Sequence, residues 1–166
     1  MKITPESLRS IVFGVEDSLV STVGLISGIA FVGVPKVTLL MTGTVLIFVE
    51  AFSMAVGSLL SDNSVRELEE KKSIPFAKSL SSALTMFLSY FFFGFVVLAP
   101  YLLFAGLYAL YISISVSIAV LFILGIFSGR MSGVDFIKKG LSMALIGGAA
   151  IILGITVGSV VDLLGK

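Results

Sequence analysis

The sequence has no cysteine, no histidine and no tryptophan among its 166 residues. These absences exclude a disulfide scaffold, a thiolate or imidazole zinc site, a Cys/His nucleophile pair and c-type haem attachment. Any metal site must therefore use oxygen atoms and thioether sulphur, and we expect no tightly bound cofactor. Charged residues are also scarce, at 13% against 57% hydrophobic residues. With a mean hydropathy of +1.16, this composition indicates an integral membrane protein.

The few charges are nearly balanced, with 11 basic and 10 acidic residues and a net charge of +1. This balance gives no basic field that would attract nucleic acid, so we expect no nucleic-acid partner. The first apolar run is too long, and too interrupted by acids, for a cleaved signal peptide, and we assign it to the mature protein. The compact chain shows no targeting extension, which leads us to expect a prokaryotic cell membrane.

Five apolar stretches reach the length of about 20 residues that a helix needs to cross a membrane. They comprise residues 11–33, 37–60, 76–103, 107–127 and 140–161. Pro35 and Pro100 mark turns between neighbouring spans. The sequence thus predicts an all-α protein with a single transmembrane domain over residues 1–166 and one short connector at 61–78.

The basic residues are distributed unequally between the two sides of this five-span arrangement. Lys36 and Lys166 fall on one side. Nine fall on the other: Lys2, Arg9, Arg66, Lys71, Lys72, Lys78, Arg130, Lys138 and Lys139. Short cytoplasmic loops carry an excess of Lys and Arg, so this asymmetry predicts a cytoplasmic N-terminus and an external C-terminus.

An acid lies within the first span, at Asp17. Ser21, Gly24 and Gly28 follow it at helical spacing on one stripe. Small residues let helices approach closely in lipid, so we expect this stripe to face protein. An intramembrane carboxylate marks a functional site by default. The structural alternative is a buried salt bridge, but the spans offer no basic partner. Glu16 points about 100° away and is a weaker candidate at an interface.

The second span has a similar face, which carries Glu50 and Met54 together with Gly43 and Gly57. Counted from the predicted helix ends, Asp17 and Met54 lie at the same depth of about 9 Å, with Glu50 one turn deeper. We therefore predict a metal site formed by Asp17, Glu50 and Met54. Carboxylates with a thioether favour transition metals over Mg²⁺ or Ca²⁺. Met54 as ordinary core filling stays an open alternative.

The connector at 61–78 is the sizeable polar segment. Ser64 followed by Glu67 resembles a capping box, which predicts a short cytoplasmic helix that ends before Pro75. The simple interpretation is a solvated connector. The alternative is that its glutamates gather cations, with Glu67, Glu69 and Glu70 as weaker metal ligands.

The run from Asp17 to Gly28, DSLVSTVGLISG, resembles the first-helix signature of the vacuolar iron transporter (VIT) family, which commonly reads close to DGxVSTxxLVxG. The second span, with AFSMAVGSLL from Ala51 to Leu60, is similar to the family's second-helix pattern. Weaker similarities extend over the later spans. The family's second-helix carboxylate lies about two turns before the methionine, where this chain has Leu46, and Glu50 lies one turn before it.

This resemblance implies a five-helix homodimer that moves Fe²⁺, often also Mn²⁺, out of the cytosol in exchange for protons. It places the family's first-helix acid at Asp17 and its methionine at Met54. The Glu-rich cytoplasmic domain of eukaryotic members is absent, which makes this chain a minimal form. We expect two copies to line the pathway at a two-fold interface. A membrane metal sensor or adaptor without net transport is the alternative. An intramembrane aspartyl hydrolase is disfavoured, because that chemistry needs paired aspartates, and no enzymatic activity is expected.

Overall fold

The computed structural model of the chain describes residues 5–165. The predictions for Lys2 and Lys166 lie outside these residues. The described part contains five long α-helices: α1 (Pro5–Phe31), α2 (Lys36–Glu70), α3 (Leu80–Leu103), α4 (Gly106–Ser132) and α5 (Phe136–Leu164). Each is long and apolar enough to cross a membrane. For this part of the chain, the prediction of an all-α protein with five spans is confirmed.

The second helix is longer than predicted. α2 runs without a break for 35 residues, past the predicted end at residue 60 and through most of the connector. The predicted helix start at Ser64 is therefore wrong. No Pro or Gly lies between Leu60 and Glu70, so no residue in this stretch stops a helix that is already formed. The helix ends at Glu70, and the next residue, Lys71, has a left-handed φ of 51°.

The segment after α2 contains a short 3₁₀ helix over Phe76–Lys78. α3 then begins at Leu80, four residues after the predicted start of the third span at residue 76. Turns of 3₁₀ type are frequent just before α-helices. The non-helical part of the connector is thus only the short stretch between α2 and this turn.

The first helix lies at the centre of the bundle. It contacts each of the other four helices, and it buries the largest share of its residues. Val15, Leu19, Val23 and Ile26 are buried at helical spacing and fix this helix in the apolar core. The acid at Asp17 therefore belongs to the most enclosed helix of the protein.

The first and last helices cross at glycines. The Cβ atom of an alanine at Gly158 would lie 2.7 Å from the carbonyl oxygen of Gly28. Gly154 meets the backbone of Gly24 even more closely. The absence of side chains lets the two backbones touch, as at small-residue crossings of membrane helices. The small-residue stripe of α1 thus faces protein as predicted, and the glycine pair of α5 serves helix packing.

The charges separate between the two ends of the bundle, because successive helices alternate in direction. Lys36 lies at the end where α1 and α3 finish, and its Nζ donates hydrogen bonds to the carbonyl oxygens of Leu102 at 3.0 Å and Phe104 at 3.3 Å. Eight further described basic residues belong to the opposite end: Arg9, Arg66, Lys71, Lys72, Lys78, Arg130, Lys138 and Lys139. The end where α1 begins is called the N-terminal end below.

Candidate metal site

Asp17 on α1 and Glu50 on α2 lie within range of each other's charge. Both residues are half-buried. Neither forms an ion pair with any residue between 5 and 165. Two acids in this position repel each other in a medium of low dielectric, and no basic side chain compensates them. The salt-bridge alternative therefore has no support within the described residues.

Met54 is on the same helix as Glu50 but one turn nearer the N-terminal end. It borders a cavity of about 350 Å³, called the mouth cavity below. The part of α1 that borders this cavity is Arg9, Ser10 and Phe13, one to two turns before Asp17. Glu50 is the acid of α2 whose charge acts on Asp17.

The prediction that Met54 lies level with Asp17 was counted from helix ends at residues 11 and 60. The described part of α1 already begins at Pro5 and α2 continues to Glu70, so the predicted ends are not the ends of these helices. The relative depth of Asp17 and Met54 stays a prediction.

Tyr90 on α3 joins this site, although the sequence argument did not single it out. It is fully buried, and its charge environment includes both Asp17 and Glu50. Its hydroxyl lies 2.7 Å from Ser21 Oγ, and its carbonyl oxygen accepts a 2.6 Å hydrogen bond from Ser18 Oγ. The signal in the sequence was a lone hydroxyl-bearing ring in the apolar run FLSYFFFG.

The glutamates near the end of α2 have other partners. Glu67 Oε1 accepts hydrogen bonds from the backbone N–H of Ile74 at 3.1 Å and from Ser73 Oγ at 3.5 Å. Glu70 forms ion pairs with Lys72 at 2.8 Å and with Lys78 at 3.8 Å. The hydrogen bond to this carboxylate and its charge raise the pKa of Lys72. These contacts hold the chain reversal after α2.

The remaining weak candidates do not complete a metal centre. Glu69 is exposed and Glu16 is half-buried. Within residues 5–165, no group of three or more His, Cys, Asp or Glu side chains is placed to hold a metal ion. A single chain therefore supplies the carboxylates of Asp17 and Glu50, with the thioether of Met54 one turn away. Such a set can bind a divalent cation or protons.

A comparison with protein families places this geometry in context. The model of the VIT family matches residues 8–74 and 71–159 of the chain. These two segments run from the first turn of α1 into the second half of α5, and they include Asp17, Glu50 and Met54. No curated protein matches the chain.

Proposed function

We propose, since the chain belongs to the VIT family of membrane metal-ion transporters, that it exports Fe²⁺ or Mn²⁺ from the cytosol in exchange for protons. It is an integral, multi-pass membrane protein, and members of its family are transporters rather than enzymes. The observation that carries the proposal is that the half-buried acids Asp17 and Glu50 lie within range of each other's charge and form no ion pair with a described basic residue.

The exchange follows from the electrostatics of this pair. Two carboxylates that lie close together in a medium of low dielectric cannot both stay ionised without a counter-charge. A divalent cation neutralises both, and protons neutralise them equally well. Metal and protons therefore compete for the same oxygen atoms, so that binding one releases the other. This competition couples the outward movement of the metal to the inward movement of protons.

The choice of ion rests on the ligand types. Carboxylate oxygens from Asp17 and Glu50 bind hard and borderline divalent ions, and the thioether of Met54 shifts the preference toward transition metals. Met54 lies one turn nearer the N-terminal end than Glu50, and a metal that passes along α2 meets the sulphur next to the carboxylates. We assign Asp17 and Glu50 as ligands and Met54 as a ligand on the path.

A second copy of the chain completes the pathway in this proposal. One protomer offers two acidic ligands, whereas a metal ion usually takes four or more ligand atoms. The exposed side of α2 next to Glu50, at Ser53 and Val49, is free to meet the same surface of a second copy. A two-fold axis there would bring both copies of α1 and α2 around one route.

The basic residues support the direction of transport. Eight of the nine described Lys and Arg residues belong to the N-terminal end, and by the positive-inside rule we assign this end to the cytoplasm. Ions would then enter at the mouth cavity and leave beyond Glu50. The prokaryotic cell membrane as the location stays a prediction.

Uptake of Mn²⁺ into liposomes tests the role of the acid pair. We expect Asp17→Asn and Glu50→Gln to lower the initial rate at least tenfold, because each removes one of two charged ligands. Asp135→Asn is the matched control, since Asp135 caps α5 at the protein surface and Asn caps a helix equally well. Wild-type protein that binds Mn²⁺ in detergent but gives no flux would favour the non-transporting sensor.

A further inference from the structure

The mouth cavity, of about 350 Å³, is lined by three helices at the N-terminal end of the bundle. α1 contributes Arg9 and Ser10, α2 contributes Met54, Ser58 and Asp62, and α3 contributes Met86. Met54 and Asp62 are eight residues apart, and two turns of helix put them on one face. Asp62 is about 18 Å from Glu50 along α2, so this carboxylate does not belong to the Asp17–Glu50 pair.

Asp62 borders the cavity with a carboxylate that lacks a partner. Its Oδ2 atom is buried and accepts no hydrogen bond, and Asp62 forms no ion pair with any described residue. Buried acceptors in folded proteins almost always have a partner, so the Asp62 carboxylate is available to a ligand that enters the cavity.

Apart from Arg9, the other polar groups at the cavity are neutral. Ser10 and Ser58 line it, and Ser82 Oγ lies behind them at 2.8 Å from Ser10 Oγ and 3.4 Å from Ser58 Oγ, so the three hydroxyls are connected. The thioether of Met54 is half-buried beside them. One carboxylate with hydroxyl and thioether groups suits a borderline divalent cation and binds it weakly. Weak binding is what an ion in transit requires.

Arg9 is the basic residue of the cavity lining. It forms no ion pair with Asp62, although both residues border the same space. Its positive charge repels a bound cation and so lowers the affinity of the cavity for metal. Removing this charge should therefore strengthen metal binding, whereas removing the charge of Asp62 should weaken it.

We propose that the mouth cavity is a loading site, where a divalent transition metal ion binds the Asp62 carboxylate and the Ser58 hydroxyl before it passes Met54 and moves to Asp17 and Glu50. The proposal rests on the transport function proposed above and adds a second, weaker station to it. Met54 lies between the two stations, one turn from Glu50 and two turns from Asp62, and its sulphur contacts the ion on the way.

Two measurements with Mn²⁺ test the loading site: bound ions counted by electron paramagnetic resonance in detergent, and initial uptake rates in liposomes. In Asp62→Asn, we expect loss of a weaker class of bound Mn²⁺ and a KM at least fivefold higher, with kcat within twofold of wild type. Arg9→Gln should lower KM. Asp62→Glu, which keeps the charge, should restore most of the binding.

Asp135→Asn is again the control, because it removes a carboxylate from the same end of the bundle without touching the cavity. Unchanged Mn²⁺ binding and KM in Asp62→Asn would overturn the loading site, as would an equal rise of KM in Asp135→Asn. The number of Mn²⁺ ions bound in detergent tests the loading site independently of the transport proposal, because it does not depend on flux. If wild-type protein gives no flux, loss of bound Mn²⁺ in Asp62→Asn still supports the site, and no loss overturns it.

Discussion

At the scale of single residues, the carboxylate pair depends on a side chain from a third helix. Tyr90 is fully buried on α3 and holds the turn of α1 that follows Asp17 through Ser18 and Ser21. A buried hydroxyl that bonds across helices fixes their rotation as well as their distance. Tyr90 therefore acts as a positioning residue for Asp17.

Tyr90→Phe removes only the hydroxyl that meets Ser21 Oγ at 2.7 Å. We expect the free energy of unfolding to fall by about 1 kcal/mol, which corresponds to a melting temperature about 2–4 °C lower for a chain of this size. Thermal unfolding of the purified protein in detergent measures this melting temperature. Tyr108→Phe is the control, because Tyr108 is 79% exposed and should give no shift. Equal melting temperatures for both variants would contradict a stabilising hydrogen bond between Tyr90 and Ser21.

The residues that sequence reasoning missed share a physical cause. Tyr90 lies in an apolar aromatic run, where a tyrosine resembles ordinary core, and only the fold reveals its neighbours Asp17 and Glu50. Asp62 follows the predicted end of the second span, where a polar residue resembles solvated connector. Asp17, Glu50 and Met54 stood out because each is unusual within its own helix. Their mutual distances depend on helix packing, which one sequence does not specify.

At the scale of helices, the long apolar runs predicted the five spans because each needs only enough length and hydropathy. The end of α2 was not predictable in the same way. The stretch SDNSVRELEE is polar, yet it contains no helix breaker, and it is compatible with a solvated connector or with a continued helix. The structure continues the helix, and this continuation carries Asp62 to the mouth cavity.

The glycine crossing of α1 and α5 gives a prediction at this scale. In Gly154→Ala the new methyl group meets the carbonyl oxygen of Gly24, and the two helices must separate. We expect destabilisation by about 1–3 kcal/mol. Gly148→Ala on the same helix is the control, because a Cβ atom there has open space and Ala favours helix. A melting temperature of Gly154→Ala equal to or higher than that of Gly148→Ala would contradict the close crossing of α1 and α5.

At the scale of the whole molecule, five helices give a small bundle whose acid pair faces the side of α2 that one copy leaves open. Glu50 and Met54 are half-buried, whereas Ser53 and Gly57 beside them are exposed. In lipid, this polar and small-residue surface packs better against protein than against acyl chains. The charge distribution and the surface of α2 both fit a two-fold dimer with its N-terminal ends in the cytoplasm.

The absence of cysteine makes the dimer directly testable with single-cysteine variants. We expect oxidation of Ser53→Cys in membranes to give disulfide-linked dimers, because a two-fold axis at this surface brings the two copies of residue 53 together. Ile152→Cys on α5, where Ile152 is 69% exposed, is the control and should stay monomeric on denaturing gels. Equal cross-linking of both variants, or none in Ser53→Cys, would contradict the proposed interface.

Proton movement during metal uptake tests the central claim most directly. Liposomes that contain the protein and a trapped pH dye are given external Mn²⁺. The exchange mechanism predicts that Mn²⁺ influx makes the lumen more alkaline, that an acidic lumen accelerates the influx, and that Asp17→Asn abolishes both while Asp135→Asn keeps both. Influx of Mn²⁺ without any change of luminal pH, or coupled influx that persists in Asp17→Asn, would contradict the account.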